Sequence, residues 1–127
     1  MANDKDILSG VNTPEDINNP TDMEKKHTPI IDAPDSASIG QPITVAVEVG
    51  KLLKHPNEPA HHIEWIDLYE DKLYLARTDF TGGKVNPKIT FEVCLKTSGN
   101  LRAFARCNLH GVWEGSRKIN VARANSY

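Results

Sequence analysis

Apolar and polar residues alternate with a period of two along most of the chain after its first thirty residues. The alternation is clearest in residues 88–96, where Ile89, Phe91, Val93 and Leu95 fall on one face. A period of two predicts strands with one buried face. No segment with a helical period is long enough for a core helix. The segments that we predict to be strands are 42–50, 63–69, 72–80, 88–96, 101–107 and 118–122.

Residues typical of turns separate these segments. The predicted turns lie at residues 40–42, 71–72, 81–83, 98–100 and 114–116. Short strands at this spacing predict an all-β fold, namely an antiparallel β-sandwich.

The first 22 residues have a different composition, being polar and rich in Asp, Asn and Pro. We predict that residues 1–22 form a short, irregular N-terminal arm with at most short helical turns. Thr21 and Glu24 have the spacing of a capping box, which predicts a helix start there. Residues 23–127 are then the β-sandwich domain.

Composition excludes some classes of function. The chain has 127 residues and a formal net charge of -2, so nucleic-acid binding has no overall electrostatic support. Its apolar runs are too short to span a bilayer. The N-terminal segment lacks the charged-then-apolar order of a signal peptide, so we expect a cytoplasmic protein.

Histidine and cysteine provide the candidate chemistry. Three of the five histidines lie within the eight residues 55–62. Of the two cysteines, Cys107 is followed three residues later by His110, so that a tight turn would bring both side chains to one ion. Backbone N–H groups of such a turn can point at the sulfur, and Gly111 permits a sharp exit from it.

The loop between His55 and His61 contains Pro56 and Pro59, which stiffen it. A stiff loop presents two imidazoles to one ion at a small ordering cost. Together with the turn and His27, the candidate ligands are His27, His55, His61, His110 and Cys107. Structural zinc sites close at four ligands, and blue-copper sites take two histidines, one cysteine and a weak axial ligand. Four imidazoles and one thiolate instead favour iron with one open position.

Three segments carry a family resemblance. They are Glu24-Lys25-Lys26-His27-Thr28-Pro29, then His55-Pro56-Asn57 with His61-His62-Ile63-Glu64-Trp65-Ile66, then Cys107-Asn108-Leu109-His110-Gly111-Val112-Trp113. In order and spacing they resemble the signature of the superoxide reductases, over about residues 24 to 115. No cysteine precedes Cys94, so the chain resembles the one-iron neelaredoxin class, and we expect it to lack the additional four-cysteine domain of desulfoferrodoxins.

The resemblance implies an immunoglobulin-like β-sandwich and one non-haem iron ion. It implies that His27, His55, His61 and His110 bind iron equatorially, with Cys107 axial and opposite the open position. The implied reaction is the one-electron reduction of superoxide to hydrogen peroxide, with electrons from an external donor such as rubredoxin. Related one-iron proteins are often homotetramers, which we expect here.

The resemblance also implies two catalytic residues. A lysine directly before the first ligand attracts the anionic substrate and orders the water that delivers protons, which points to Lys26. The family usually has Glu-Lys-His, with the Glu as a sixth ligand of ferric iron. This chain has one additional lysine, so Glu24 is displaced in register and is the weaker of the two assignments.

Other residues near the motifs receive simpler predictions. His62 should point away from His61 and the metal, because neighbours on an extended segment face opposite sides. Cys94 lies on a polar strand face and is expected to have no role. Trp65 and Trp113 are expected in the core or the wall of the site.

The sequence leaves other functions open. A non-catalytic electron-transfer or metal-binding immunoglobulin-like module, including one with adventitious zinc, is the main alternative. A superoxide dismutase is another, which would evolve oxygen without a donor.

Overall fold

The computed structural model describes residues 6–123. Over this range nearly all of the regular secondary structure is strand. The elements are β1 (Val11–Asn12), α1 (Asp22–His27), β2 (Ile30–Asp32), β3 (Ser36–Ser38), β4 (Pro42–Glu48), β5 (Ile63–Glu70), β6 (Leu73–Asp79), β7 (Lys88–Cys94), β8 (Gly99–Cys107) and β9 (Gly111–Ala122). The prediction of an all-β fold is confirmed.

The strands form two sheets that share one hydrophobic core. The larger sheet has the order β1-β9-β8-β5-β6, with β3 also pairing with β9, and the smaller sheet has the order β2-β4-β7. Pairing is antiparallel except for β1 and β3, which both run parallel to β9. The architecture is that of an immunoglobulin-like sandwich.

The alternation of inward-facing and outward-facing side chains along the strands determines which residues form the core. Val45 and Val47 of β4 face Ile66 and Leu68 of β5 across the core, and all four are completely buried. In β7 the apolar face is turned inward and Cys94 outward, as the sequence predicts. The described part of the chain contains no helix with the length and hydropathy needed to cross a membrane.

The N-terminal arm is more ordered than its composition predicts. Val11 and Asn12 pair with Val112 and Trp113 at the edge of the larger sheet. The Asn12 side chain is buried and its amide donates to the backbone carbonyls of Ile7 and Val112. Residues 1–5 lie outside the described residues, so the prediction for that part of the arm is not addressed.

The predicted turn at residues 114–116 is wrong, because these residues lie inside β9. Gly115 has another role there. A Cβ atom on Gly115 would lie 1.9 Å from the backbone oxygen of Pro29. The glycine therefore allows the segment after α1 to cross β9 closely, which brings His27 next to the strands that carry the other candidate ligands.

Candidate metal centre

Helix α1 positions the first histidine. Thr21 is the N-cap, its side chain accepts from the N–H of Glu24, and the Glu24 carboxylate accepts from the N–H of Thr21, so the predicted capping box is present. The helix has six residues and ends at His27. His27 is buried at its C-terminal end, where its Nδ1 lies 2.7 Å from the carbonyl oxygen of Met23.

The loop from His55 to His61 is fixed by backbone contacts. The Nδ1 of His55 lies 2.6 Å from the carbonyl oxygen of Pro56. Glu58 and His61 exchange two backbone hydrogen bonds, of 2.9 and 3.1 Å. Gly50 has a φ of 89°, and a Cβ there would lie 2.9 Å from the backbone nitrogen of His55. This glycine therefore gives the loop its close approach to the end of β4.

The turn between β8 and β9 carries the sulfur. Cys107 is the last residue of β8 and is buried, and His110 precedes Gly111, whose φ is 81°. Burial raises the pKa of the Cys107 thiol, and the N–H groups of Leu109 and His110, which hydrogen-bond to the sulfur, oppose that rise. The predicted N–H donors to sulfur are therefore present.

The four imidazoles form a closed square. Going around it from His27 to His55, His61, His110 and back, the ring centroids are separated by 4.7, 4.9, 5.1 and 4.9 Å. Each pair meets edge to face, with interplanar angles between 62° and 83°. Four rings around one centre have this arrangement when one nitrogen of each points inward.

The sulfur lies beside this square. The potential ligand atoms of His27, His61, Cys107 and His110 all lie within 4.8 Å of one another, and Cys107 Sγ is 3.7 Å from His110 Nδ1. His55 is outside this mutually close group, but its Nε2 is 3.2 Å from Nε2 of His27. The structure thus gathers four candidate ligands and places the fifth against one of them.

The donor chemistry of this cluster fits a cation. The Nδ1 atoms of His27 and His55 face carbonyl oxygens, which only accept, so each Nδ1 carries the proton of the neutral ring. Their Nε2 lone pairs then face each other at 3.2 Å without a proton between them. The Nε2 of His61 is also buried without a hydrogen-bond partner. A metal ion between these nitrogens would satisfy all three.

Burial makes protonation a poor substitute for that cation. Desolvation lowers the pKa of His27 to about 4, and desolvation followed by the charge of His27 lowers the pKa of His55 to about 4. The pKa of His110 is also lowered, mainly by desolvation. Without metal, His27 and His55 are therefore neutral near neutral pH.

The two lysines of α1 differ in their relation to the site. The positive charge of Lys26 contributes, after burial and the other histidines, to the lowered pKa values of His27 and His110, whereas Lys25 contributes to neither. The charge of Lys26 therefore acts on two of the candidate ligands.

Glu24 is not brought into the ligand cluster. Its carboxylate accepts from the N–H of Thr21 at 2.8 Å and from the N–H of Glu15 at 3.1 Å. Both donors belong to the arm and the beginning of α1, so this carboxylate ties the arm to the helix. Glu24 is the third residue of α1 and His27 is its last, and Glu24 is not part of the mutually close group of ligand atoms.

The neighbouring residues are placed as follows. The ring of His62 packs against Gly82, where an added Cβ would lie 2.4 Å from it, and it is absent from the ligand cluster.

Trp113 is buried, stacks on His27 with centroids 5.1 Å apart and donates its indole N–H to the carbonyl of His110. Trp65 is half-buried under the guanidinium of Arg77. Trp113 therefore forms a wall of the site.

Residues 19–116 match the family model described as Desulfoferrodoxin. This chain belongs to the desulfoferrodoxin family. A superoxide reductase of Pyrococcus abyssi is 38% identical over 104 residues, which cover 75% of this chain and 88% of that protein.

Solved structures in this family have the same fold. Superoxide reductase (neelaredoxin) from Ignicoccus hospitalis has a TM-score of 0.69 and 45% identity, covering 75% of this chain and 80% of that one. Superoxide reductase from Nanoarchaeum equitans has a TM-score of 0.70 and 32% identity, covering 87% of this chain and all of that one. The resemblance found in the three sequence segments is confirmed.

Sequence patterns did not reveal the main-chain contacts that orient the imidazoles. The carbonyl groups of Met23 and Pro56 have no residue-type signature, so only the folded chain shows them. Pro56 gave a partial signal, because the residue before a proline favours an extended backbone.

Proposed function

We propose that this protein is a superoxide reductase with one mononuclear, non-haem iron ion held by His27, His55, His61, His110 and Cys107. The observation that carries this proposal is the square of four imidazoles with a buried thiol beside it. Zinc in structural sites is satisfied by four ligands, and blue copper by fewer imidazoles. Iron accepts five such ligands and retains one position for a small anion.

Bound iron would supply the electron that reduces superoxide and a positive centre that attracts it. Reduction to hydrogen peroxide consumes one electron and two protons. The Cys107 thiolate would donate electron density to a bound metal, and the two backbone N–H groups that bind its sulfur would moderate that donation.

Lys26 is the residue that we propose to act on the substrate. Its charge reaches His27 and His110, so it adds a positive potential at the edge of the site. Such a potential raises the local concentration of an anion, and the ammonium group can hold a water molecule that delivers protons.

The assignment of Glu24 as a ligand of ferric iron stays a prediction. To reach the metal, its carboxylate would have to give up the N–H groups of Thr21 and Glu15. Those two hydrogen bonds favour a structural function for the Glu24 carboxylate, namely capping of α1.

An external donor must return an electron for each turnover, and we propose rubredoxin or a similar small redox protein. We also propose a cytoplasmic location. Both cysteines are free, and Cys94 is exposed, which is typical of a compartment that keeps thiols reduced.

Assembly into a homotetramer is proposed on the outer face of the larger sheet. Tyr69 makes edge-to-face contacts with Tyr74 and Phe104, and Arg102 lies over the Phe104 ring. Aromatic residues and arginine are enriched in protein interfaces. Light scattering tests this proposal, and a monomer in solution would contradict it.

Rapid mixing of the ferrous protein with pulsed superoxide tests the function. We expect a fast second-order reaction that yields hydrogen peroxide, with no oxygen evolved and one electron consumed from a donor. Oxygen evolution without a donor would instead show dismutation. If a protein that contains iron shows no fast reaction, the result would instead support the alternative function, a non-catalytic electron-transfer module.

A further inference from the structure

The ladder between β5 and β8 ends close to the proposed metal centre. Its last pair joins Ile63 with Cys107. Beyond that pair the backbone N–H of Asn108 donates to the carbonyl of His62 at 3.1 Å. The residues that follow β8 form the turn to His110, so the backbone ladder ends here.

The side chain of Asn108 continues the ladder at this point. Its Oδ1 accepts from the N–H of His62 at 2.9 Å, and its Nδ2 donates to the carbonyl of Ala60 at 2.9 Å. The first group belongs to the peptide unit that follows His61, and the second to the peptide unit that precedes it. One amide therefore holds both peptide units that flank His61.

The remaining backbone groups of His61 bind elsewhere. Its N–H and C=O exchange hydrogen bonds with Glu58 inside the same loop. Those bonds shape the loop but do not connect it to β8. Among the contacts that involve the peptide units on either side of His61, those of Asn108 are the ones that reach the segment carrying the sulfur.

We infer that Asn108 is a positioning residue, which holds the His61 imidazole at its place relative to the Cys107 sulfur by clamping both flanking peptide units. This inference rests on the proposed metal site. Ligand orientation is commonly fixed by polar groups outside the coordination sphere. Here the clamp acts through the main chain, since His61 Nε2 itself has no hydrogen-bond partner in the described structure.

Ser98 provides a matched control at the other end of β8. Its hydroxyl donates to the carbonyl of Val121 at 3.1 Å and accepts from the N–H of the same residue at 2.7 Å. It thus makes one donated and one accepted bond to backbone, as the Asn108 amide does, but far from the histidines.

The test is a titration of metal-free protein with Co²⁺ alone, followed by the thiolate-to-cobalt absorption, for wild type, Asn108→Ala, Asn108→Asp and Ser98→Ala. We expect Asn108→Ala to bind Co²⁺ about 10- to 100-fold more weakly, the range typical of residues that orient ligands. Asn108→Asp retains the acceptor for His62 and loses the donor to Ala60, so its affinity should lie between wild type and Asn108→Ala. Ser98→Ala should bind like wild type.

Unfolding midpoints of the metal-free proteins separate positioning from general stability. The inference is supported if Asn108→Ala and Ser98→Ala lose similar stability but only the former loses Co²⁺ affinity. It is overturned if both Asn108 variants bind as wild type does, or if Ser98→Ala loses as much affinity. Should Asn108→Ala not fold, the Asn108→Asp comparison decides. A wild-type protein without thiolate absorption would overturn the metal site itself, and this inference with it.

Discussion

The two ends of β8 satisfy their polar groups in different ways. At the Gly99 end, the N–H of Asp71 donates to the carbonyl of Asn100, and the Asp71 carboxylate accepts from the N–H of Asn100. Arg102 donates to the Asp71 carbonyl, and the Ser98 hydroxyl donates to the Val121 carbonyl. This end is complete with protein atoms alone.

At the Cys107 end, the described residues leave buried polar side-chain atoms without hydrogen-bond partners. Three buried side-chain atoms have no hydrogen-bond partner in the described residues, namely Thr28 Oγ1, His61 Nε2 and His62 Nδ1. One belongs to a proposed ligand, and the other two belong to residues directly after a proposed ligand. Buried polar groups without partners are costly. The Gly99 end therefore satisfies its polar groups within the protein, whereas at the Cys107 end a bound cation would satisfy His61 Nε2.

The largest expected effect comes from removing the sulfur. Cys107→Ser should abolish the visible thiolate-to-iron absorption of the oxidised protein. Its reaction with superoxide should slow by more than the ~10- to 100-fold typical of changes outside the coordination sphere. Cys94→Ser is the control, because Cys94 is exposed on β7 and should leave both readouts unchanged. An unaltered spectrum in Cys107→Ser would mean that the sulfur is not a ligand.

The next effect is a pH dependence of the stability of the metal-free protein. Unfolded histidine has a pKa of about 6.5, whereas the pKa values of His27 and His55 are lowered to about 4 in the folded chain. The unfolded state therefore binds more protons between these values, and the free energy of unfolding falls as pH falls from 6.5 to 4. One pKa unit corresponds to about 1.4 kcal/mol. Protonation of the two histidines should therefore lower the free energy of unfolding by several kcal/mol between pH 6.5 and pH 4.

Urea unfolding of the metal-free protein across this pH range measures that dependence. Zinc-loaded protein is the control, and its loss of stability should begin at lower pH because the ion competes with protons for the same nitrogens. A metal-free protein equally stable at pH 4 and pH 7 would show that the histidines are not buried as described.

A smaller effect is expected from Lys26. Lys26→Ala should slow the reaction with superoxide by ~10-fold, the lower range of electrostatic steering, and should weaken its dependence on ionic strength. Lys25→Ala removes the same charge from the same helix and should change neither. The reverse result would place the functional lysine one residue earlier.

The smallest effect concerns Glu24. Glu24→Ala removes the capping box and the contact with the arm, and should lower the free energy of unfolding by about 1 kcal/mol. Glu15→Ala is the control, because Glu15 contributes a backbone N–H that alanine retains. The absorption of the ferric protein decides between the two roles of Glu24, because it should stay unchanged in Glu24→Ala if the carboxylate only caps α1. A shift of that absorption would instead assign the carboxylate to the iron.

The period-two alternation predicted these strands well because it follows the alternation of inward-facing and outward-facing side chains along each strand. β4, β5, β6, β7 and β8 lie within one or two residues of their predicted bounds. The N-terminal half of β9 was missed because Gly115 resembles a turn residue. A glycine is required at this position because the backbone of Pro29 approaches β9 closely. This contact joins distant segments of the chain, so no local sequence pattern encodes it.

The candidate site shows the same limit. His27, His61, Cys107 and His110 could be chosen by residue type and spacing, and the structure brings them together. The clamp by Asn108 could not be predicted from its position between the two ligands, since its partners, Ala60 and His62, are backbone groups of another loop. Glu24 illustrates the converse, because its spacing from Thr21 matched a capping box, which the structure contains, whereas its spacing from His27 departs by one residue from the family's ligand motif.

X-ray absorption at the iron edge of the ferrous protein tests the central claim most directly. The account predicts one iron ion with one sulfur and four imidazole nitrogens in its coordination shell, and with the sulfur signal lost in Cys107→Ser. A shell without sulfur, or a tetrahedral site with fewer than four imidazoles, would contradict it.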